Sequence, residues 1–501
     1  MGRLEGKCAV ILGAASKDNM GQVMARRFVA EGAKVLVAGR NEDILQDISG
    51  EIGGHYALCD ITNRDQVFAL AKSTVEKIGK VDIAINSTGW GLLKPFLENT
   101  EEDLEKMTKL VRAKYQYIFQ YKHRPFQKSK RIKVGYFSPI FHQNPVSILS
   151  ARMLELHDKK RFEIFIFAYR QIINDQYMDR LIKSAANIID VTGMSDRKIS
   201  KLALANGIDI AIEFNGFLKN QRIGILAHRP APIQINYLAY PGTMGADFYD
   251  YIIADRSVIP DAQKSNYSEN IIFMPDSYMP QDNTRRISNK PVSRTGFGLP
   301  EHGFVFCCFN NSFKISPQEF DIWMRLLNEI EGSVLWLLRT NEWSESNLRN
   351  EADKRGVDSN RLVFANKLPL EEHLGRLRLA DLFLDTFNFN AHTTASDALW
   401  AGVPIVTKIG KSFAARVAGS LLTAIELPEL STTTEKEYEA LALSLASNPK
   451  ALTSIKKKLA EKKNSAPLFD TEKYTKNLER AYVQAYQRYA DGLPPAEFKV
   501  L

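Results

Sequence analysis

The stretch that most constrains this chain is residues 381–407, where strand, loop, helix, stop and strand follow one another without a gap. Leu382–Leu384 has the length and composition of a buried strand and ends at Asp385. The loop carries Asn388 and Asn390, after which His392, Thr393 and Thr394 open a helix expected to reach about Trp400. Gly402 and Pro404 stop that helix before the next apolar run at 405–407. A helix that begins at the end of a strand aims free N–H groups and a partial positive charge into the crevice above the sheet. The natural guest there is a phosphate. The two threonine hydroxyls can add hydrogen bonds, and Asp397, one turn further on, can accept from ribose hydroxyls. The pattern points to a nucleotide-diphosphate site, although a Thr-capped helix after a strand is also common in α/β folds as plain scaffolding.

The string His392-Thr393-Thr394, then Asp397 and Leu399-Trp400-Ala401-Gly402-Val403-Pro404, resembles the signature of the SPINDLY-like O-linked N-acetylglucosamine transferases. The resemblance runs from about Arg131 to about Tyr489. It includes Arg229-Pro230-Ala231-Pro232-Ile233-Gln234, Tyr240-Pro241-Gly242-Thr243-Met244-Gly245 and Phe309-Asn310-Asn311-Ser312-Phe313-Lys314. It implies an α/β protein of GT-B glycosyltransferase architecture, two facing Rossmann-like domains. Residues 131–290 would be the acceptor-side half, 300–465 the UDP-sugar half, and 466–501 a C-terminal helix and tail, with a Pro/Gly/Ser-rich crossover near 285–300. Apolar runs at 132–137, 162–168, 209–214, 250–255, 304–309, 334–339 and 361–364 read as the strands. Amphipathic helices from about Glu435 and from Thr471 to Tyr489 are expected to pack back across both halves.

The resemblance also implies roles. Lys314 matches a lysine that contacts the leaving diphosphate, whose charge must be stabilised as the glycosidic bond breaks. No Asp-x-Asp metal-binding spacing occurs, so the transfer is expected to need no metal. Asn311 matches a uridine-diphosphate contact, His373 a uracil contact, His392 a phosphate contact, Thr393 and Thr394 the diphosphate cradle, and Asp397 the ribose contact. The acceptor side departs from the pattern. In Ile140-Phe141-His142-Gln143-Asn144-Pro145 the usual histidine is Asn144, with His142 two residues away; a second usual histidine is Ile148, and a usual Gly-His or Gly-Tyr is Gly216-Phe217. Asn cannot accept a proton at neutral pH. Two expectations follow from the resemblance: an inverting transferase carrying N-acetylglucosamine or a related sugar from UDP to protein Ser or Thr hydroxyls, or a UDP-sugar-binding pseudoenzyme. No 34-residue helical repeat of the kind that presents acceptors in such transferases occurs.

Residues 1–107 read separately. Strands at 7–12, 34–38, 55–58 and 81–85 alternate with helices, and glycines follow the first strand, a dinucleotide-binding order. This resembles the first half of a short-chain dehydrogenase/reductase, in which Gly13 and Gly21 match the glycine loop, with Asn19 at its middle glycine and two extra residues. Arg40 after the second strand favours a 2′-phosphate and hence NADP; Asp60 and Asn86 match positions beside the adenine and the nicotinamide. The pattern stops near Met107 without a Tyr-x-x-x-Lys, since Tyr115, Tyr117 and Tyr121 each lack a lysine four residues on. Such a truncated domain could bind NADP but lacks the proton donor for carbonyl reduction, which disfavours an NADP-dependent oxidoreductase. Residues 108–130 read as a short helix and a basic linker.

Composition sets outer bounds. At 501 residues, with 45% apolar and 25% charged residues, the chain has room for about three cores. A net charge of +8 is modest, and the Lys/Arg clusters at 122–133 and 456–463 accompany no recognition motif, so they read as solvated faces and nucleic acid is not an expected partner. Cys8, Cys59, Cys307 and Cys308 have no metal or disulfide spacing, the last two reading as strand residues on opposite faces. No run reaches membrane-spanning length and no signal peptide is evident. A cytoplasmic protein is expected.

Overall fold

The computed structural model describes residues 2–88, 130–170, 175–184 and 187–501 and divides into two units at Met107. The helix and linker expected at 108–130 fall almost wholly outside the described residues. In the first unit, strands β1 (Cys8–Leu12), β2 (Lys34–Gly39), β3 (His55–Leu58) and β4 (Ile83–Asn86) form a parallel sheet of order β3-β2-β1-β4. Helices Met20–Ala30, Glu42–Ile52 and Arg64–Ile78 connect them. Each helix starts on an asparagine, Asn19, Asn41 or Asn63, whose side-chain oxygen accepts from a first-turn N–H and stops the chain from extending the strand before it. Ala9, Ile11, Val35, Val37, Leu45 and Ile48 form the core between sheet and helices.

The second unit contains two parallel sheets. Strands β5 (Ile132–Ser138), β6 (Phe162–Ala168), β7 (Asn187–Asp190), β8 (Ile210–Glu213), β9 (Ile233–Asn236), β10 (Tyr251–Ala254) and β11 (Asn270–Phe273) build the first. Strands β12 (Val305–Cys308), β13 (Val334–Leu338), β14 (Leu362–Ala365), β15 (Leu382–Leu384), β16 (Ile405–Lys408) and β17 (Ser431–Thr432) build the second, in the order β14-β13-β12-β15-β16-β17. The central strands are buried on both faces, which is why they read as unbroken apolar runs; Cys307 and Cys308 have no exposed surface. Short strands escape the sequence pattern. Residues 229–234 read as a loop motif, yet 233–236 pair with β8 and β10. The last strand, β18 (Phe498–Lys499), adds to the first sheet beside β11, so the order there is β18-β11-β10-β9-β8-β5-β6-β7 and the tail belongs to the half built on that sheet.

The C-terminal helix Thr471–Ala490 carries the chain back to that half through buried polar contacts. The Tyr482 hydroxyl lies 3.0 Å from that of Tyr136, which is 2.8 Å from His157 Nε2, and His157 Nδ1 lies 3.1 Å from Glu479. Tyr474 donates to the Tyr278 carbonyl and pairs with Tyr237. The lysine-rich stretch at 456–463, expected to be merely solvated, is engaged instead: Lys456 pairs with Asp381, Lys458 with Glu429, and Lys462 with Glu426. Because Tyr482 is fully buried, Tyr482→Ala should destabilise the second unit by about 3–5 kcal/mol. Tyr482→Phe should cost only about 1 kcal/mol. Urea unfolding followed by tryptophan fluorescence measures both; equal midpoints for the two variants would refute this docking role.

Candidate active site

The site grows from the end of β15. Asp385 is completely buried, and its Oδ1 accepts from the N–H groups of Thr386 (2.8 Å) and Ala391 (2.6 Å) and from Asn310 Nδ2 (3.3 Å). Oδ2 accepts from the Thr407 hydroxyl at 2.6 Å. The loop is thereby folded tightly over the strand end and delivers helix Thr393–Ala401 with its N-terminus open to the cleft. Its first backbone N–H groups have no partner within the helix, so a phosphate can take them. Thr393 lines the cleft, and the Thr394 hydroxyl donates to Asn310 Oδ1 at 2.5 Å.

Lys314 approaches the same point from a 3-10 turn, Ser312–Lys314, that follows β12. Its Nζ donates to the Asn390 carbonyl at 3.0 Å and sits 4.0 Å from the centre of the Phe389 ring. That ring is stacked on His392 with centroids 4.6 Å apart. Burial pulls the Lys314 ammonium below its ordinary value, and the Asp385 charge acts against this. Burial pushes the Asp385 carboxyl up. His392 Nε2 lies 3.1 Å from the Ala414 carbonyl; burial, reinforced by the Lys314 charge, lowers it to about 3, so it is a neutral donor at physiological pH.

His373 is likewise neutral, lowered to about 3 by burial and by Arg376. Arg376 can only donate, and its Nε and Nη2 reach His373 Nδ1 at 3.2 and 3.1 Å, which leaves the imidazole proton on Nε2. Phe309 packs edge-on at 5.1 Å. Glu371 and Glu372 occupy the first turn of helix Leu370–Leu377, where negative charge suits the dipole. Two further expected residues have distinct surroundings. Asp397 is only 6% exposed, and its Oδ1 accepts from Arg285 Nη1 at 2.7 Å; burial raises its carboxyl to about 6 against the pull of Arg285. Asn311 is exposed at the start of the turn that holds Lys314 and makes no side-chain capping bond, whereas its neighbour Asn310 is buried in the Asp385 network. Asn310, Asp385, Arg285 and Arg376 were not singled out from sequence. The strand-end position of Asp385 was the one available signal.

His142 and Asn144 from the first half share a cavity of about 430 Å³ with His392 and Thr393 from the second, so the cleft brings the two sets together. Asn144 is the N-cap of helix Pro145–Leu156, its Oδ1 accepting from Val146 N at 3.1 Å. Ile148 is buried. Phe217 lies edge-on to Tyr240 at 5.2 Å.

In the first unit Gly13 has φ +103°, and a Cβ there would come within 2.6 Å of the Ser87 backbone. A Cβ on Gly21 would lie 2.7 Å from the Gly13 carbonyl, so both glycines are sterically required. Asn19, in place of a glycine, donates to the Gly13 carbonyl at 2.7 Å and caps Gln22 N at 3.0 Å. The Arg40 side chain is 79% exposed, 3.9 Å from Asp60. Asp60 accepts from Thr62 N at 2.9 Å, and Asn86 from Thr88 N at 3.0 Å.

Comparison with known proteins matches this geometry to a family. The model of glycosyl transferase family 41 matches residues 99–290 and 286–478, and that of enoyl-(acyl carrier protein) reductase matches residues 13–123. A probable UDP-N-acetylglucosamine–peptide N-acetylglucosaminyltransferase SEC of Arabidopsis thaliana is 36% identical over 378 residues, 74% of this chain and 39% of that protein. The UDP-N-acetylglucosamine–peptide N-acetylglucosaminyltransferase of Caenorhabditis elegans is 28% identical, covering 74% of this chain and 42% of that protein. The chain thus spans roughly two fifths of the length of these curated relatives. A mutant of the Thermobaculum terrenum O-GlcNAc transferase superimposes with a TM-score of 0.67 at 28% identity, over 72% of this chain and 69% of that one. Most of this chain therefore belongs to glycosyl transferase family 41, in the GT-B fold, with a Rossmann-like sheet ahead of it.

Proposed function

We propose that the protein transfers N-acetylglucosamine, or a related sugar, from UDP to Ser or Thr hydroxyls of proteins, with inversion and without a metal. The observation that carries this reading is the shared cavity: a helix N-terminus on one side and His142 with Asn144 on the other. The donor's diphosphate would lie on the N–H groups of Thr393 and Thr394 beside Lys314 and His392. His373 Nε2 would donate to the uracil, Asn311 would lie along the diphosphate, and Asp397, oriented by Arg285, would take the ribose. As the sugar C1–O bond breaks, the negative charge grows on the diphosphate, where Lys314 and the helix dipole already point. The cavity lining contains no carboxylate among the described residues, so no side chain there is suited to trap a glycosyl intermediate; direct attack by the acceptor hydroxyl inverts the anomeric centre.

Titration calorimetry with UDP-N-acetylglucosamine and no added metal should give micromolar binding. Lys314→Ala should weaken it and lower turnover by roughly two to three orders of magnitude, as for the loss of one charge-stabilising donor. No binding by a folded wild type would reject the donor site.

The proton of the acceptor hydroxyl needs a destination, and Asn144 offers none because an amide is not a base at neutral pH and its Oδ1 already accepts from Val146 N. His142, in the same cavity, is assigned that role. His142→Ala should then reduce turnover by about 10²–10⁴ while leaving UDP affinity unchanged. The pseudoenzyme reading draws on the same cap: it expects UDP binding without turnover in the wild type and activity appearing in Asn144→His.

The first unit supports NADP binding as a second, separate property. Gly13 and Gly21 let the loop after β1 pack against the following helix and the end of β4, the tight turn that a dinucleotide loop uses, and the exposed Arg40 suits the 2′-phosphate. When bound, the nicotinamide would supply hydride; the residues here would only hold the nucleotide, with Asp60 and Asn86 flanking adenine and nicotinamide. Arg40→Ala should reduce NADPH affinity about tenfold and leave NADH affinity nearly unchanged, as read from cofactor fluorescence. Equal losses for both cofactors would overturn the assignment.

A further inference from the structure

The acceptor side of the cleft carries a charge pattern that the transfer chemistry does not use. Strands β8, β5 and β6 are hydrogen-bonded neighbours in that order, and all three end at the cleft. The central one leads to His142 and Asn144. The strand on one side leads to Arg170 and the strand on the other to the loop bearing Lys219. All four residues line the same cavity, together with His392 and Thr393.

Among the described residues no carboxylate forms an ion pair with Arg170 or Lys219, and both residues are exposed. The two carboxylates at the base of these loops accept from backbone, and the one oxygen left over, Glu213 Oε2, is buried away from the cleft lining. Asp175 accepts from the N–H groups of Gln143, Tyr177 and Met178. Buried Glu213 accepts from those of Asn215 at 2.8 Å and Gly216 at 3.2 Å. The Lys219 loop is a built feature. Gly216 sits at φ +57° with no room for a Cβ against Tyr240, and Asn215 Nδ2 reaches the Leu218 and Lys219 carbonyls at 3.4 Å. On the donor side, Lys314 and the helix N-terminus already face the place of the diphosphate charges.

We propose that the acceptor is an acidic polypeptide, with Asp or Glu on both sides of the modified Ser or Thr, held by Arg170 and Lys219. This rests on the protein-glycosyltransferase reading. Adjacent strands are about 4.8 Å apart, so the two outer loops are separated by roughly 10 Å. An extended peptide advances about 3.3 Å per residue, so three residues span that gap. The hydroxyl-bearing residue then lies over His142 and Asn144, and its near neighbours on each side meet a cation. A peptide with lysines there would bring like charges together in a cleft whose lining has no carboxylate to receive them.

The test compares fluorescein-labelled Ser/Thr peptides flanked by Glu, by Gln or by Lys, using the full chain with saturating UDP for binding and UDP-N-acetylglucosamine for transfer. The Glu-flanked peptide should bind about tenfold more tightly than the Gln-flanked one, near the upper range for two exposed charge pairs, and the margin should shrink in high salt. In Arg170→Glu together with Lys219→Glu, the preference should invert toward the Lys-flanked peptide. Transfer to all three peptides with equal efficiency would overturn the acidic-acceptor assignment and leave the transferase standing. Loss of UDP affinity in the double variant, with peptide preference intact, would also overturn it, since the two cations would then belong to the donor. A Glu preference in binding with no transfer to any peptide would support the acidic site and remove the transferase reading instead.

Discussion

The second half of the cleft depends on one buried carboxylate. Asp385 ends β15 with no exposed surface, and its two oxygens collect four donors from three places: the loop after its own strand, Asn310 at the end of β12, and Thr407 in β16. Its carbonyl accepts from Tyr438 on helix Glu435–Ser447 at 3.1 Å. A charge stripped of water in this way is tolerated only because its lone pairs are met and Lys314 is near. Each lost partner would leave a buried polar group unpaired at a cost of about 1–3 kcal/mol. The loop conformation that opens helix Thr393–Ala401 to the cleft is therefore tied to the core. The same residue that fixes the scaffold also biases Lys314 toward its charged form, so structure and electrostatics share one anchor.

Around that anchor the positive charge is sparingly placed. Both histidines of the donor side are neutral, each with its proton directed by a fixed neighbour: His373 by Arg376, which occupies Nδ1, and His392 by the Ala414 carbonyl at Nε2. They act as oriented dipoles. Beside them the positive charge is carried by Lys314 near His392 and by Arg376 against His373. A second full charge at His392 would repel Lys314, whose own charge already adds to burial in lowering the His392 pKa. The depression of the His392 pKa avoids that conflict.

The sequence was legible where local chemistry and tertiary role coincide. The 381–407 stretch carries its strand, stop signals and helix start in its own residues, and it folds as read. The sheets were legible wherever strands are buried on both faces, because burial writes an apolar run. The short strands 233–236, 270–273 and 498–499 do not read as strands, whereas Leu382–Leu384, only 3 residues long, does because stop signals follow it. Motif position singled out Lys314, His373 and His392. The partners that set their state, Arg376, Asn310 and Asp385, are brought to them by folding. Asp397 illustrates the same limit, since its position suggests a free acceptor while its pairing with Arg285 arises from a residue 112 positions away.

The acceptor side raises a question of magnitudes. At position 144 an asparagine satisfies the start of helix Pro145–Leu156, a gain of about 1 kcal/mol over a residue that cannot cap. A general base contributes about 10²–10⁴ in rate, or roughly 3–5 kcal/mol of barrier. Trading the second for the first would be a poor exchange in a working transferase unless proton transfer has another carrier. Within the cavity lining of this half, His142 is the one imidazole, carried on the same loop two residues before the cap. The cap then has a different value: by fixing where helix Pro145–Leu156 begins, Asn144 anchors the end of the loop that carries His142, the base in the proposed transfer.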